Sequence, residues 1–189
     1  MNGRTTPSQT VGPYFSIGFA WLERTDLTQG VAGGARIMIR GRVLDGHGQP
    51  VPDAVLEIWQ ADADGRYAHP EDAPELMAKN KFFGFGRVPV NDMGEFHFTT
   101  IKPGRVRGGN GTLQAPHVAV SVFMRGLLRR LVTRIYFPGE PANDVDSVLA
   151  CVPPGRRRTL IAQTDTTDEK ILVWDVHLQG HDETVFFES

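Results

Sequence analysis

Apolar positions in this chain recur with a period of two in most segments. In residues 35–44, Ile37, Ile39 and Val43 alternate with Arg36, Arg40 and Arg42, and in residues 54–60, Val55, Glu57 and Trp59 fall opposite Leu56 and Ile58. Residues 94–100 turn Phe96 and Phe98 inward. Residues 117–123 set Val118, Val120 and Val122 against His117, Ala119, Ser121 and Phe123, and residues 171–179 gather Leu172, Trp174, Val176 and Leu178 on one side. Successive side chains of a strand point to opposite faces, so each run predicts a strand with one buried face. Residues 132–137 add another, and residues 184–187 finish the chain. Asp45-Gly46-His47-Gly48 reads as the turn of a hairpin joining the first two strands, and Asp62-Ala63-Asp64-Gly65 and Lys102-Pro103-Gly104 read as further turns. Residues 68–86 and 138–154 read as loops, and residues 156–162 as the one short helix. Seven or more short strands separated by turns predict an all-β fold, a β-sandwich of two sheets with long loops and little helix.

Residues 1–34 lack this alternation. Pro7, Gly12 and Pro13 speak against helix, while Phe15, Ile17, Phe19, Trp21 and Leu22 are too apolar to be left in water. The expected organisation is therefore an extended arm over residues 1–34, which must pack on something, and a sandwich domain over residues 35–189.

Composition adds limits. A chain of 189 residues with 40% hydrophobic and 22% charged positions is one domain, or slightly more, with a sizeable core. No apolar run approaches the roughly 18 residues that a membrane span requires. Residues 1–9 carry one charge and no apolar segment, so neither a secretory signal nor an anchor is expected. The single cysteine, Cys151, suits a reducing cytoplasm. A net charge of −2 argues against nucleic acid as a partner. Arginine nevertheless outnumbers lysine sixteen to four, and Arg105, Arg107, Arg125, Arg129, Arg130 and Arg134 fall within thirty residues. Guanidinium groups suit fixed, bidentate recognition of carboxylates; ordinary surface ion pairing accounts for most of the six.

Candidate chemistry centres on residues 101–140. His117 and Ala119 share one face of a strand, where a His-x-His pair would hold a metal between two imidazoles. With His-x-Ala, the lone histidine reads first as a hydrogen-bonded structural residue.

Several ordered motifs resemble the intradiol ring-cleaving dioxygenases over nearly the whole chain. They are Thr6-Pro-Ser-Gln-Thr-Val-Gly-Pro-Tyr14, Leu56-Glu-Ile-Trp-Gln-Ala-Asp-Ala-Asp-Gly65 with Tyr67 beyond it, Ile101-Lys-Pro-Gly104, Ala115-Pro-His117, Thr133-Arg-Ile-Tyr-Phe137, and Leu178-Gln-Gly180 leading to Glu183-Thr-Val-Phe-Phe187. The resemblance implies a ferric ion held by two tyrosines and two histidines, since hard Fe(III) favours phenolate oxygen. Tyr67 looks like the first tyrosine ligand and His117 like the first histidine. Val106 stands where the second phenolate belongs, Ala119 where the second imidazole belongs, and Gln114 where the family has a catalytic arginine. The expectation is that this chain binds no catalytic iron and contributes no catalytic residue. Fe(III) would sit instead on an iron-bearing β subunit, in a higher αβ hetero-oligomer with this chain as α subunit and its arm packed on the partner. The same resemblance assigns Thr10, Gly12, Pro13, Tyr14 and Arg125 to the substrate pocket. It also implies the reaction: protocatechuate opened by O2 between its hydroxyls to 3-carboxy-cis,cis-muconate, within aromatic catabolism by the β-ketoadipate pathway.

Two rival readings stand beside this one. A self-sufficient intradiol enzyme would need four ligands in one chain. A non-enzymatic, transthyretin-like binding module rests on residues 41–54, which resemble the opening hairpin of such domains.

Overall fold

The computed structural model describes residues 5–12, 14–31, 33–71, 82–109 and 111–188, with Ser16 described by its backbone alone. Its strands are β1 (Arg36–Leu44), β2 (Val55–Trp59), β3 (Phe85–Pro89), β4 (Glu95–Ile101), β5 (Val106–Arg107), β6 (Leu113–Gln114), β7 (His117–Phe123), β8 (Leu131–Tyr136), β9 (Gln163–Thr164), β10 (Ile171–Val173) and β11 (Val176–His177). One sheet runs β3-β2-β7-β8. The other is built on β1, which pairs with β4 on one side and with β10 and β11 on the other, β9 lying outside β10. Strands β5 and β6 form a separate two-stranded ribbon. The all-β sandwich with little helix is thus the observed architecture.

Alternation built the core as expected. Ile39, Val43, Phe96, Phe98, Leu172, Trp174 and Val176 from one sheet meet Leu56, Ile58, Val88, Val118, Val120, Val122 and Ile135 from the other in a single buried cluster. At its rim the fully buried Gln60 is satisfied on both ends: its amide donates to the Ile101 carbonyl at 2.9 Å and its oxygen accepts from Thr100 Oγ1 at 2.8 Å. A buried amide left unpaired would cost about 1–3 kcal/mol, so these bonds fix the end of β2 to the end of β4.

Five local expectations are corrected. Strands β1 and β2 do not form a hairpin: only the bridge Leu44↔Pro50 spans the turn, and the strands enter different sheets. Pro50 and Pro52 have no N–H, so a ladder cannot continue past Val51, whose N–H reaches the Val43 carbonyl at 2.9 Å. Within the arm, Tyr14–Ile17 forms one α-turn (α1) and Ala20–Leu22 a 3₁₀ turn. Gly12 precedes α1 rather than interrupting it, and its carbonyl accepts the Phe15 N–H. The segment expected as loop after residue 138 contains a 3₁₀ turn at Pro141–Val145, capped by Glu140, and a short helix α2 (Ser147–Ala150), capped by Asp146. The helix expected at 156–162 is a 3₁₀ turn, Pro154–Leu160. Strand β3 arises at the end of a stretch expected as loop; residues 72–81 of that stretch lie outside the described residues.

The run at 171–179 is divided into β10 and β11, and Gly41 marks the break. A Cβ on Gly41 would lie 1.8 Å from the Trp174 carbonyl oxygen. The Trp174 N–H donates to the Arg40 carbonyl at 2.9 Å, and Asp175 Oδ1 accepts the Arg42 N–H at 2.8 Å, so the interruption is closed by hydrogen bonds. Residues 24–27 stitch the sheets along one edge: Arg24 bridges Arg87 of β3, and Asp26 bridges Thr99 of β4.

Gly41→Ala is expected to force β1 away from Trp174 and destabilise the chain by about 3 kcal/mol, as overpacking against fixed backbone does. Urea unfolding of the variant beside the native chain measures it, and a midpoint unchanged within error would refute this account of the break.

Candidate functional site

The face of β7 turned from the core is assembled by register. Strand β8 places Tyr136 opposite His117 and Arg134 opposite Ala119, and β2 places Trp59 opposite Ala119 on the other flank. Tyr67 follows the turn after β2 and stacks on Trp59, with ring centroids 5.6 Å apart and planes 8° from parallel. The turn is held by Asp62, whose Oδ1 accepts the Asp64 and Arg66 N–H groups at 2.9 and 3.0 Å. At Gly65 (φ 79°) a Cβ would lie 1.9 Å from the Arg105 carbonyl oxygen, so glycine lets this turn close on the segment leading into β5. Tyr67 and Val106 consequently line one cavity of about 270 Å3 with Arg66, Arg105 and Arg107. Val106 pairs with Gln114 across the β5–β6 ribbon, and Gln114 Oε1 accepts from Arg134 Nη1 at 2.9 Å. Contacts through Trp59, Gln114 and Arg134 therefore link the four ligand-like positions, Tyr67, Val106, His117 and Ala119.

A polar chain runs beneath them. Arg134 Nη1 also reaches the Tyr136 hydroxyl at 3.4 Å, and that hydroxyl donates to Asp146 Oδ1 at 3.1 Å. Asp146, fully buried, accepts in addition from Val148 N–H and Leu149 N–H through Oδ1 and from Ala115 N–H through Oδ2. Burial raises the Tyr136 pKa, opposed by the Arg134 charge and reinforced by Asp146, so the phenol keeps its proton and acts as donor. His117 Nδ1 lies 2.8 Å from the Ala115 carbonyl. A carbonyl only accepts, so Nδ1 carries the proton and Nε2 the lone pair. Burial first, then the Arg134 charge, pull the imidazole pKa down to about 4.

This donor set does not suit the ferric ion that the family resemblance brings with it. Val106 and Ala119 offer no donor atom, Tyr67 is engaged in a ring stack, and the group facing Ala119 across the sheet is a cation. Tyr136 and Asp146 went unassigned in the sequence, where Arg134 is only one of six clustered arginines. Arg134 and Tyr136 at positions i and i+2 of one strand share the face of His117, a signal readable once β8 is aligned with β7.

The residues expected to reach a partner's pocket lie elsewhere. Thr10 Oγ1 accepts the N–H of Gly126 at 2.8 Å, docking the arm beside Arg125. Arg125 is 60% exposed and its Nε donates to Asp53 Oδ2 at 2.5 Å. Gly12 is exposed with open space around it, and Tyr14 is 79% exposed at the start of α1. Pro13 lies outside the described residues. Of the other clustered arginines, Arg105 donates to the Leu113 carbonyl, and Arg129 and Arg130 line a small cavity of about 100 Å3 with Gln9 and Val11.

The family described as Dioxygenase matches residues 10–180. The chain is 40% identical to the protocatechuate 3,4-dioxygenase alpha chain of Burkholderia cepacia, over 98% of each chain. It is 36% identical to the beta chain from the same organism, over 86% of this chain and 72% of that one. Among solved structures, the dioxygenase domain of a carbohydrate-binding fusion protein from Streptomyces sp. SirexAA-E shares the fold, with a TM-score of 0.64 and 24% identity over 95% of this chain and 96% of that one.

The depressed His117 pKa sets a pH dependence. The folded chain disfavours the protonated imidazole, held beside Arg134, Tyr136 and Asp146, whereas the unfolded chain protonates near 6.5. The stability from this group is therefore full above about pH 6.5 and lost as pH falls toward 4, on the order of 3 kcal/mol in total. Denaturant unfolding at pH 7, 5.5 and 4.5 should follow that slope, and His117→Gln should flatten it; an equal slope in the variant would assign it to other groups.

Proposed function

Because this chain belongs to the dioxygenase family, in its intradiol ring-cleaving group, we propose that it is the α chain of a protocatechuate 3,4-dioxygenase. The observation carrying this reading is the end-to-end match: 98% of this chain against 98% of a curated alpha chain, where the beta chain is matched over 72% of its length. The complex cleaves protocatechuate with O2 between its hydroxyls, giving 3-carboxy-cis,cis-muconate, and acts in the cytoplasm. Its ferric iron would be held by the β chain and would supply the Lewis-acid chemistry that activates the diol. The positions at 67, 106, 117 and 119 are counterparts of a ligand set, and this chain contributes shape and charge to the partner's pocket.

That contribution comes from the corner where the arm meets the β7–β8 turn. Thr10, Gly12 and Tyr14 form one wall, and Arg125 supplies a guanidinium. Asp53 engages Nε, and among the described residues neither Nη group of Arg125 has an acceptor, which leaves both for the carboxylate of protocatechuate. On α1 and the following turn, Tyr14, Ile17 and Trp21 are between 71% and 79% exposed, an apolar surface suited to a second subunit. A self-sufficient intradiol enzyme is disfavoured by Val106 and Ala119. The transthyretin-like module is disfavoured because residues 41–54 join two different sheets instead of forming a hairpin.

Two measurements test this reading. The full chain purified alone is expected to lack stoichiometric ferric iron and the tyrosinate-to-iron absorption band, while the αβ complex carries one iron for each pair; two irons per pair would place a working centre in this chain. Arg125→Ala in the reconstituted complex is expected to raise KM for protocatechuate about five- to thirty-fold, equivalent to about 1–2 kcal/mol, with little change in kcat, because the carboxylate lies opposite the reacting diol. Unsubstituted catechol should be unaffected, and an equal loss on both substrates would make Arg125 structural.

A further inference from the structure

The site holding Tyr67, Val106, His117 and Ala119 carries a positive charge of its own. Arg134 stands directly across the β7–β8 pair from Ala119, on the same face as His117 and Tyr136. Side chains so placed start from Cβ atoms roughly 4.5–5.5 Å apart. Nη1 is fixed by two neutral acceptors, Gln114 Oε1 at 2.9 Å and the Tyr136 hydroxyl at 3.4 Å. Among the described residues neither Nη2 nor Nε has an acceptor, and no carboxylate pairs with the guanidinium; Asp146 reaches it only through the Tyr136 hydroxyl.

We propose that the Arg134 guanidinium takes the place of a metal cation in this chain, closing the site to metals by its charge in addition to the missing ligand atoms. The inference rests on reading 67, 106, 117 and 119 as ligand positions and adds a residue that this reading does not name. Gln114 couples the guanidinium to the β5–β6 ribbon at Val106, and the Ala119 register couples it to β7, so the charge bears on two of the four positions at once. A metal bound through the lone pair on His117 Nε2 would share the outer face of the β7–β8 pair with the Arg134 guanidinium. A second cation on this face would be repelled by the guanidinium, which Asp146 reaches only through the Tyr136 hydroxyl, and such repulsion is little screened in a partly buried site.

If absent ligands were the whole explanation, restoring them would restore metal binding equally with and without Arg134. The full-length Ala119→His variant has two imidazoles at alternate positions of β7. It should bind Co(II), followed by visible absorption, at least about tenfold more weakly than Ala119→His combined with Arg134→Gln or Arg134→Leu. Two neutral replacements are used so that one folded variant, verified by thermal unfolding, suffices. Ala119→His with Arg134→Lys retains the charge and should stay as weak as Ala119→His alone. Equal affinity with and without Arg134, including none in either, overturns the proposal, and so does a lysine variant that binds like the neutral ones. A second arm adds Val106→Tyr and uses ferric iron: the tyrosinate band should appear only when Arg134 is also neutralised, and a band in Val106→Tyr/Ala119→His alone overturns the role of Arg134. No band with Arg134 removed, while Co(II) behaves as stated, overturns the assignment of positions 67 and 106 as ligands and leaves the charge effect supported.

Discussion

One buried carboxylate organises the region around the candidate site. Asp146 caps α2 through the Val148 and Leu149 N–H groups, holds the Ala115 N–H at the entry to β7, and receives the Tyr136 hydroxyl from the end of β8. A buried charge is tolerable only when its lone pairs are filled, and here four donors fill them. The consequence is geometric: the start of β7, the end of β8 and the loop between β8 and β9 cannot move independently. Ala115 fixes the His117 tautomer and Tyr136 supports Arg134, so both site residues take their orientation from this carboxylate. A second small core of Ala115, Tyr136, Ala142, Leu149, Val152 and Leu160 closes around it and excludes water.

The strands were legible because alternation records which face is buried, and the buried faces of β2, β4 and β7 fell where Leu56, Phe96 and Val120 put them. Sheet membership was less so. Turn residues at 45–48 signal a reversal of the chain, but the prolines at 50 and 52 decide that the reversed strand leaves the sheet, and a hairpin pattern weighs the turn alone. The 3₁₀ turn Pro141–Val145 and helix α2 escaped because each is started by a side-chain cap, Glu140 and Asp146 respectively, rather than by an apolar period, and α2 is too short to develop one. The site itself was half legible. His117 and Ala119 could be placed on one face from their spacing, yet Arg134 enters only through the β7–β8 register, and Asp146 contacts Ala115 from 31 positions away. Nothing local in a sequence marks an aspartate for such a partner.

The arm illustrates how a segment without alternation is nevertheless fixed. Arg87 of β3 forms an ion pair with Glu57 directly across the β2–β3 pair and lies under two arm rings, 5.2 Å from the Phe15 centroid and 5.0 Å from that of Phe19. Phe15 also packs on Phe123 at 5.0 Å. Cation–π contacts of this kind gain up to about 2 kcal/mol when desolvated, and here the same guanidinium serves two rings and a carboxylate. Docking one side of the short helical turns on β3 and β7 turns Tyr14, Ile17 and Trp21 outward together. The apolar surface proposed to meet the partner chain is thus a product of where Arg87 sits.

Tyr67 and His117 each have a task that needs no metal. The phenol ring of Tyr67 covers Trp59, and the Trp59 ring in turn stands across from Ala119, a side chain too small to cover it. His117 satisfies the Ala115 carbonyl at a buried strand entry, where an apolar residue would leave an acceptor unpaired. Val106 and Ala119 have no comparable polar duty: Val106 is buried in the β5–β6 ribbon, and Ala119 leaves space beside the Arg134 side chain. The distribution of polar and apolar groups over these four positions therefore follows from packing and hydrogen bonding around a guanidinium. Such a site keeps the sandwich intact on this side of β7.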